Sequence, residues 1–251
     1  MAFEPGFVMY RMIAEFIGID YVGVPLDANF NLDMATTREA IEKYQPAIIF
    51  IAYPNNPSAN LFDLSMIETI IRLAPGLVVV DEAYHPFAQK TFLPMLSKFE
   101  NLMVMRTVSK LGLAGLRLGF LCGSPDIINE IDKLRLPYNI NVLTQTAALF
   151  MLENMAILEQ QARLICEQRA HVFATMNKFD GIEVFPSQAN FILFRVLHKS
   201  GDDVFDTIKN NGILIKNMKA TRGPLQNCLR VTIGTAEENK FFLLALEKAL
   251  H

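Results

Sequence analysis

Runs rich in lysine or arginine are missing from this 251-residue chain, and its formal net charge is -3. Both facts argue against nucleic acid or an anionic membrane as the main partner. No stretch approaches the roughly 18 consecutive apolar residues that a membrane span needs. The opening MAFEPGFVMY lacks the basic-then-apolar layout of a secretory signal, so the cytoplasm is the expected location. Cysteine is scarce: Cys122, Cys166 and Cys228 are an odd number without CxxC or metal-ligand spacing. Each lies among apolar residues, which reads as small buried side chains in a reducing compartment and predicts no metal site. No internal repeat or low-complexity segment interrupts the chain.

What is present is the profile of a globular protein, with 51% hydrophobic and 20% charged residues. The length allows one large domain or two smaller ones. Over the first 125 or so residues, short apolar runs alternate with amphipathic stretches, the pattern of an α/β unit with a largely parallel sheet. Strands are expected at 21–24, 47–52, 77–80, 102–106 and 119–122, and helices at 37–44 and 64–73. A helical region spans 125–179, broken near Pro137 and Asn154, with a helix start at Asn141 and an amphipathic stretch over 158–176. After Gly181 the texture becomes mixed, with strands expected at 182–185, 190–194, 213–215 and 229–233 and helices at 202–210 and 237–250. The expected division is therefore a large α/β part, 1–145, followed by a linking helix and small α+β domain, 146–251. At the start, Glu4-Pro5-Gly6-Phe7 is a turn signal feeding a helical pattern (Met9, Met12, Ile13, Phe16, Ile17), with nothing ahead of it expected to cover or pair with that element.

In open α/β sheets ligands bind beyond the carboxyl ends of the strands, so the residues that follow each buried run carry the information. After AIIFIA comes Tyr53-Pro54-Asn55-Asn56-Pro57-Ser58; after LVVV, Asp81-Glu82-Ala83-Tyr84; after LMVMR, Thr107-Val108-Ser109-Lys110, then Gly112, Gly115 and Arg117. Singly, each has a structural explanation: Asn-Pro pairs make turns, a strand-end Asp caps a helix, and Ser-Lys is ordinary wet surface. Together they meet the needs of pyridoxal 5'-phosphate (PLP). That cofactor requires a lysine amine, an acid beside the pyridine nitrogen, and donors for a phosphate. Lys110 suits the first role and Asp81 the second; Thr107, Ser109 and Arg117 suit the third. Asn56 and Tyr84 can hold the ring's phenolic oxygen, and Lys110, once released, can move the substrate proton.

PNNPSAN, VVVDEAY and RTVSKLGLAGLRLGF resemble the sequence blocks of fold-type I aminotransferases, the aspartate aminotransferase-like group. NGILIKNM and LQNCLRVTIGTAEEN are similar to the C-terminal signature of the histidinol-phosphate aminotransferases within it. The likeness runs from EPGFVMY to the last helix. It implies the PLP-dependent transferase fold with part of its large domain, and Lys110 as the Schiff-base lysine. It also implies Asn56 and Tyr84 at the phenolic oxygen, Asp81 at the pyridine nitrogen, Thr107, Ser109 and Arg117 at the phosphate, and Phe7 stacked on the ring. Phe7 has core packing as its alternative. Arg230 matches the arginine that binds the substrate carboxylate; within an apolar strand-like run, an anionic ligand explains it better than packing does.

Three departures stand out. Lys216 occupies a position where arginine is common for the substrate phosphate, so it would act as a point charge rather than a fork. The spacing from Lys110 to Arg117 is one residue shorter than in SKAFxLAGLR. The family also carries a further part ahead of EPGF, with an arm, a phosphate-cradling helix start, sheet strands and a tyrosine donated across a homodimer. The implied activity is transamination between histidinol phosphate and 2-oxoglutarate, in histidine biosynthesis. Rivals within the fold are a threonine-phosphate decarboxylase and an aromatic or aspartate aminotransferase, because fold alone does not choose the reaction. A non-catalytic PLP-binding module and an inactive shortened chain are further alternatives. The partners expected are small amino and oxo acids.

Overall fold

Strand-forming runs of isoleucine and valine, each followed by an amphipathic helix, set the architecture of the computed structural model, which describes residues 1–219 and 223–251. In chain order the first part is β1 (Ala2–Glu4), α1 (Met9–Ile17), β2 (Gly23–Pro25), α2 (Met34–Tyr44), β3 (Ile48–Ala52), α3 (Leu64–Leu73), β4 (Leu77–Asp81), α4 (His85–Ala88), β5 (Leu102–Thr107) and β6 (Gly119–Cys122). These strands form one sheet in the order β2-β1-β3-β4-β5-β6. All pairings are parallel except β5 with β6. On one face of β3 and β4 the branched side chains of Ile49, Ile51, Val78 and Val80 are fully buried, while on the other Val79 is buried and Phe50 half-buried. α3 closes one face through Ile67, Ile70 and Ile71, the i, i+3, i+4 stripe of a surface helix. Asp33 and Asp63 begin α2 and α3 by accepting hydrogen bonds from the second and third helical N–H groups.

The chain then runs through α5 (Pro125–Asp132), α6 (Val142–Glu153, capped by Asn141) and the 22-residue α7 (Met155–Met176). Residues 145 and 146 lie inside α6. Beyond it come β7 (Ile182–Val184), β8 (Phe191–Val196), α8 (Gly201–Asn210), β9 (Lys216–Asn217), β10 (Cys228–Thr232) and α9 (Ala236–Leu250). The four strands make an antiparallel sheet, β7-β8-β10-β9. Val172 and Met176 of α7, Ile208 of α8 and Phe242 and Leu246 of α9 pack on it in a second core. α9 starts with a capping box in which Thr235 and Glu238 satisfy each other's backbone N–H groups. The first core reaches across to Phe185, Leu193 and Cys228, and Phe30 meets Phe185 edge-on at 5.0 Å. Apolar contact thus fixes the small sheet against the large one. Among the described residues no helix is long and apolar enough to cross a membrane.

Three expectations are corrected. Residues ahead of the Glu4-Pro5 turn form β1, which lies inside the sheet between β2 and β3. Three residues are too few to show alternation; pairing of Phe3 with Val24 and of Ala2 with Phe50 makes them a strand. At the other end, pairing falls on Lys216–Asn217 and not on 213–215, since Leu229 and Arg230 of β10 meet those two residues. The strand expected over 21–24 starts two residues later, at Gly23.

Candidate active site

Parallel strands aim their carboxyl ends at one edge, and there β3, β4 and β5 deliver Asn56, Asp81 and Thr107. Asp81, the last residue of β4, and Glu82, which follows it, have different fates because consecutive side chains of extended backbone leave on opposite sides. Glu82 is fully buried, accepting hydrogen bonds from Arg106 Nε (2.9 Å), Thr91 Oγ1 (2.9 Å) and the Phe92 N–H (2.6 Å). Its acceptor capacity is taken up by structure.

Asp81 faces the opposite way and is only 8% exposed. Oδ1 accepts the Ala83 N–H at 3.0 Å and Oδ2 accepts the Tyr10 hydroxyl at 2.7 Å. Burial raises the Asp81 pKa, against the lowering effects of those two donors and of the Lys110 charge. Lys110 is exposed on a short helical turn, Ser109–Leu111, and its Nζ lies 5.3 Å from the centre of the Tyr84 ring. Tyr84 is buried and packs edge-on against Phe191 at 5.1 Å. Burial holds its hydroxyl above the ordinary phenol pKa, with the Arg230 charge opposing.

The hydroxyls of Thr107 and Ser109 are 2.7 Å apart, and Thr107 also donates to the Leu118 carbonyl. Arg117 is exposed, in left-handed conformation (φ 52°), with Nη1 bonded to the Ala114 carbonyl of its own turn. The structure therefore unites Thr107 with Ser109 and leaves the Arg117 guanidinium on its own loop.

On β10, Arg230 donates to Asn56 Oδ1 at 2.5 Å and covers the Phe191 ring at 4.6 Å. Its Nε is buried without a hydrogen-bond partner among the described residues. Burial also pulls the Arg230 pKa down. Lys216 stands directly opposite Arg230 in the antiparallel register. A bound anion would satisfy the unpaired Nε–H of Arg230, with a second cation on the neighbouring strand. Phe7, 38% exposed, meets Tyr10 edge-on at 5.5 Å, while Tyr10 stacks on Phe50 at 4.8 Å. Tyr10 was not evident from sequence; the available signal was its spacing of three from Phe7, which sets both rings on one side of the incipient helix.

This set fits PLP. A buried carboxylate retains lone pairs for a ring N–H, an exposed amine stands beside a buried phenol, and a hydroxyl pair lies at the end of β5. The unpartnered donor on Arg230 asks for a carboxylate.

Comparison with known proteins gives the same picture. The chain is 52% identical over 244 residues to histidinol-phosphate aminotransferase 2 of Nitrosococcus oceani, covering 97% of this chain and 68% of that relative. The crystal structure of the histidinol-phosphate aminotransferase from Clostridium acetobutylicum superposes with a TM-score of 0.92 at 25% identity, over 99% of this chain and 77% of that one. That from Sinorhizobium meliloti, solved in complex with pyridoxal-5'-phosphate, shares the fold with a TM-score of 0.88 at 23% identity, over 100% and 70% of the two chains. The family model for aminotransferases of class I and II matches residues 1–246, and the chain belongs to that family of PLP-dependent aminotransferases with the aspartate aminotransferase-like fold.

Proposed function

We propose that the protein transfers an amino group between histidinol phosphate and 2-oxoglutarate, a step of histidine biosynthesis, with Lys110 as the covalent anchor of the cofactor. The observation that carries the substrate reading is the pair of opposed cations, Arg230 and Lys216, beside an unpartnered Arg230 Nε–H. A substrate pair in which one member ends in a carboxylate and the other in a phosphate suits two cations of different kinds. The relatives' names point to the same substrate.

When bound, PLP supplies an electron-accepting ring that stabilises negative charge at the substrate Cα. The chain's part is to hold and to move protons. Asp81 accepts the ring N–H, and its burial keeps water from competing. Asn56 and Tyr84 donate to the phenolic oxygen; Thr107, Ser109 and Arg117 take the cofactor phosphate; Phe7 covers the ring. Lys110, once its amine is free, carries the proton to and from Cα. Arg230 clamps the substrate carboxylate and Lys216 the substrate phosphate. A homodimer in the cytoplasm completes the proposal, supported by the exposed Met12, Ile13 and Phe16 of α1, the last 90% exposed.

Amino-transfer assays with histidinol phosphate, aspartate and phenylalanine, together with CO2 release from threonine phosphate, test the reading. Preference for histidinol phosphate with loss of phosphate discrimination in Lys216→Ala is the expected result. Faster turnover of aspartate or phenylalanine, or CO2 release, would sink the substrate assignment.

A further inference from the structure

Tyr10, on α1, reaches the buried carboxylate that ends β4. Its hydroxyl donates to Asp81 Oδ2 at 2.7 Å, across 71 residues of sequence. The ring that bears this hydroxyl is itself fixed. It lies nearly flat on Phe50, at 4.8 Å and 16° between planes, and takes the edge of Phe7 at 87°. Phe50 is opposite Val79 in the sheet, and Ala52 opposite Asp81, so stack and carboxylate rest on the same two strands.

Asp81 is held at both oxygens, by Tyr10 at one and by the Ala83 N–H at the other. Neither side chain torsion of the carboxylate can turn without breaking one of these bonds. The titratable and charged groups that act on it are Tyr10 from α1, Lys110 from the turn after β5, Tyr84 three residues further on, and Glu82 beside it on the chain. Of these, Tyr10 is the one with a hydrogen bond to it. Burial and the neighbouring Asp81 charge keep the Tyr10 phenol protonated well above the ordinary range, so the donor persists at any pH at which the protein works.

We propose that Tyr10 is a positioning residue: it locks the Asp81 carboxylate by a hydrogen bond to Oδ2 and aims its remaining lone pairs at the ring nitrogen of the cofactor. This rests on the reading of Asp81 as the acceptor of that nitrogen's proton. A hydroxyl that merely filled space would give the same packing but would leave the proton affinity of Asp81 unchanged.

The experiment compares the full chain with Tyr10→Phe, which keeps the stack on Phe50 and removes the donor. Carboxyl carbon NMR of aspartate-labelled protein without added cofactor, assigned through Asp81→Asn, reads the titration directly. The Asp81 carboxyl is expected to gain about tenfold in proton affinity, the scale of one charge-assisted hydrogen bond. No change, with the fold intact by circular dichroism, overturns the proposal. Equilibrium titration with PLP gives a second reading: Tyr10→Phe should weaken binding about tenfold, but less than about twofold in an Asp81→Ala background. Equal weakening in both backgrounds would mean that Tyr10 acts by packing, and would also overturn it. If Asp81→Ala itself binds PLP as tightly as the native chain, the Asp81 assignment falls, whereas a Tyr10→Phe effect missing beside a large Asp81→Ala effect rejects the role of Tyr10 alone.

Discussion

The two halves of the site are built on different physical terms. On the side proposed for the cofactor ring and the substrate carboxylate, Asp81, Tyr84, Asn56 and Arg230 are buried or half-buried and locked by Tyr10, Phe191 and one another. On the side proposed for the phosphate, Lys110 and Arg117 are exposed, and a Cβ added at Gly112 or Gly115 would meet nothing within 4 Å. Desolvated hydrogen bonds are strong and costly to lose, while exposed charges are screened and adaptable. The first half is therefore preorganised by this chain's own packing. The second is an open loop whose chemistry depends on what it binds.

The largest effect expected is on the open side, because there the chemistry is covalent. Lys110→Ala should lower amino-transfer activity by about three orders of magnitude or more. Borohydride reduction and mass spectrometry should find cofactor attached to the native chain at Lys110 and none on the variant. Retention of label elsewhere in the Lys110→Ala protein would break the assignment.

On the buried side, Glu82→Gln should cost about 3–5 kcal/mol of stability in urea unfolding, since it strands Arg106, which pairs with no other carboxylate among the described residues. A loss below about 1 kcal/mol would show that water reaches this pair and that the two halves differ less than the packing indicates.

A paired comparison of arginines sharpens the contrast. Arg230→Ala, which removes a desolvated cation, should raise KM for the carboxylate substrate about a hundredfold. Arg117→Ala, at an exposed position, should weaken PLP binding by a smaller factor, about tenfold or less. The reverse ranking would mean that Arg117 is the better ordered of the two in the loaded enzyme.

The smallest effect is a pH dependence. Burial and the adjacent Arg106 lower the His85 pKa from 6.5 to about 4. The unfolded chain thus takes up a proton that the folded one refuses, so His85 costs nothing above pH 6.5 and destabilises progressively as pH falls toward 4. After allowance for solvent screening this amounts to about 1–2 kcal/mol. Denaturation across that window should show His85→Gln losing less stability than the native chain by that amount. Asp81, with its pKa raised, acts in the opposite sense, which is why the difference between native and variant is the quantity to measure.

Much of the fold was legible because its elements are long and regular. Ile48–Ala52 and Leu77–Asp81 announce buried strands, and Asn141 marks a helix start by its capping chemistry. Short elements were not legible, since Ala2–Glu4 and Lys216–Asn217 owe their conformation to partners 20 or more and about a dozen residues away. The site divides in the same manner. Strand-end order points to Asn56, Asp81, Thr107, Ser109 and Lys110, because residues after buried parallel strands converge wherever the sheet closes.

By itself, then, the sequence determined the residue types at each strand end, the covalent chemistry open to a lysine after β5, and the family to which the chain is similar. Only the tertiary structure decided which of two adjacent carboxylates is free for a ligand, that Tyr10 holds it, that Arg230 meets Asn56 across 174 residues, and that Arg117 turns to its own loop. The reason is physical: residue type sets what a group can do, but burial and hydrogen-bond competition, which arise only on packing, set what it is left free to do.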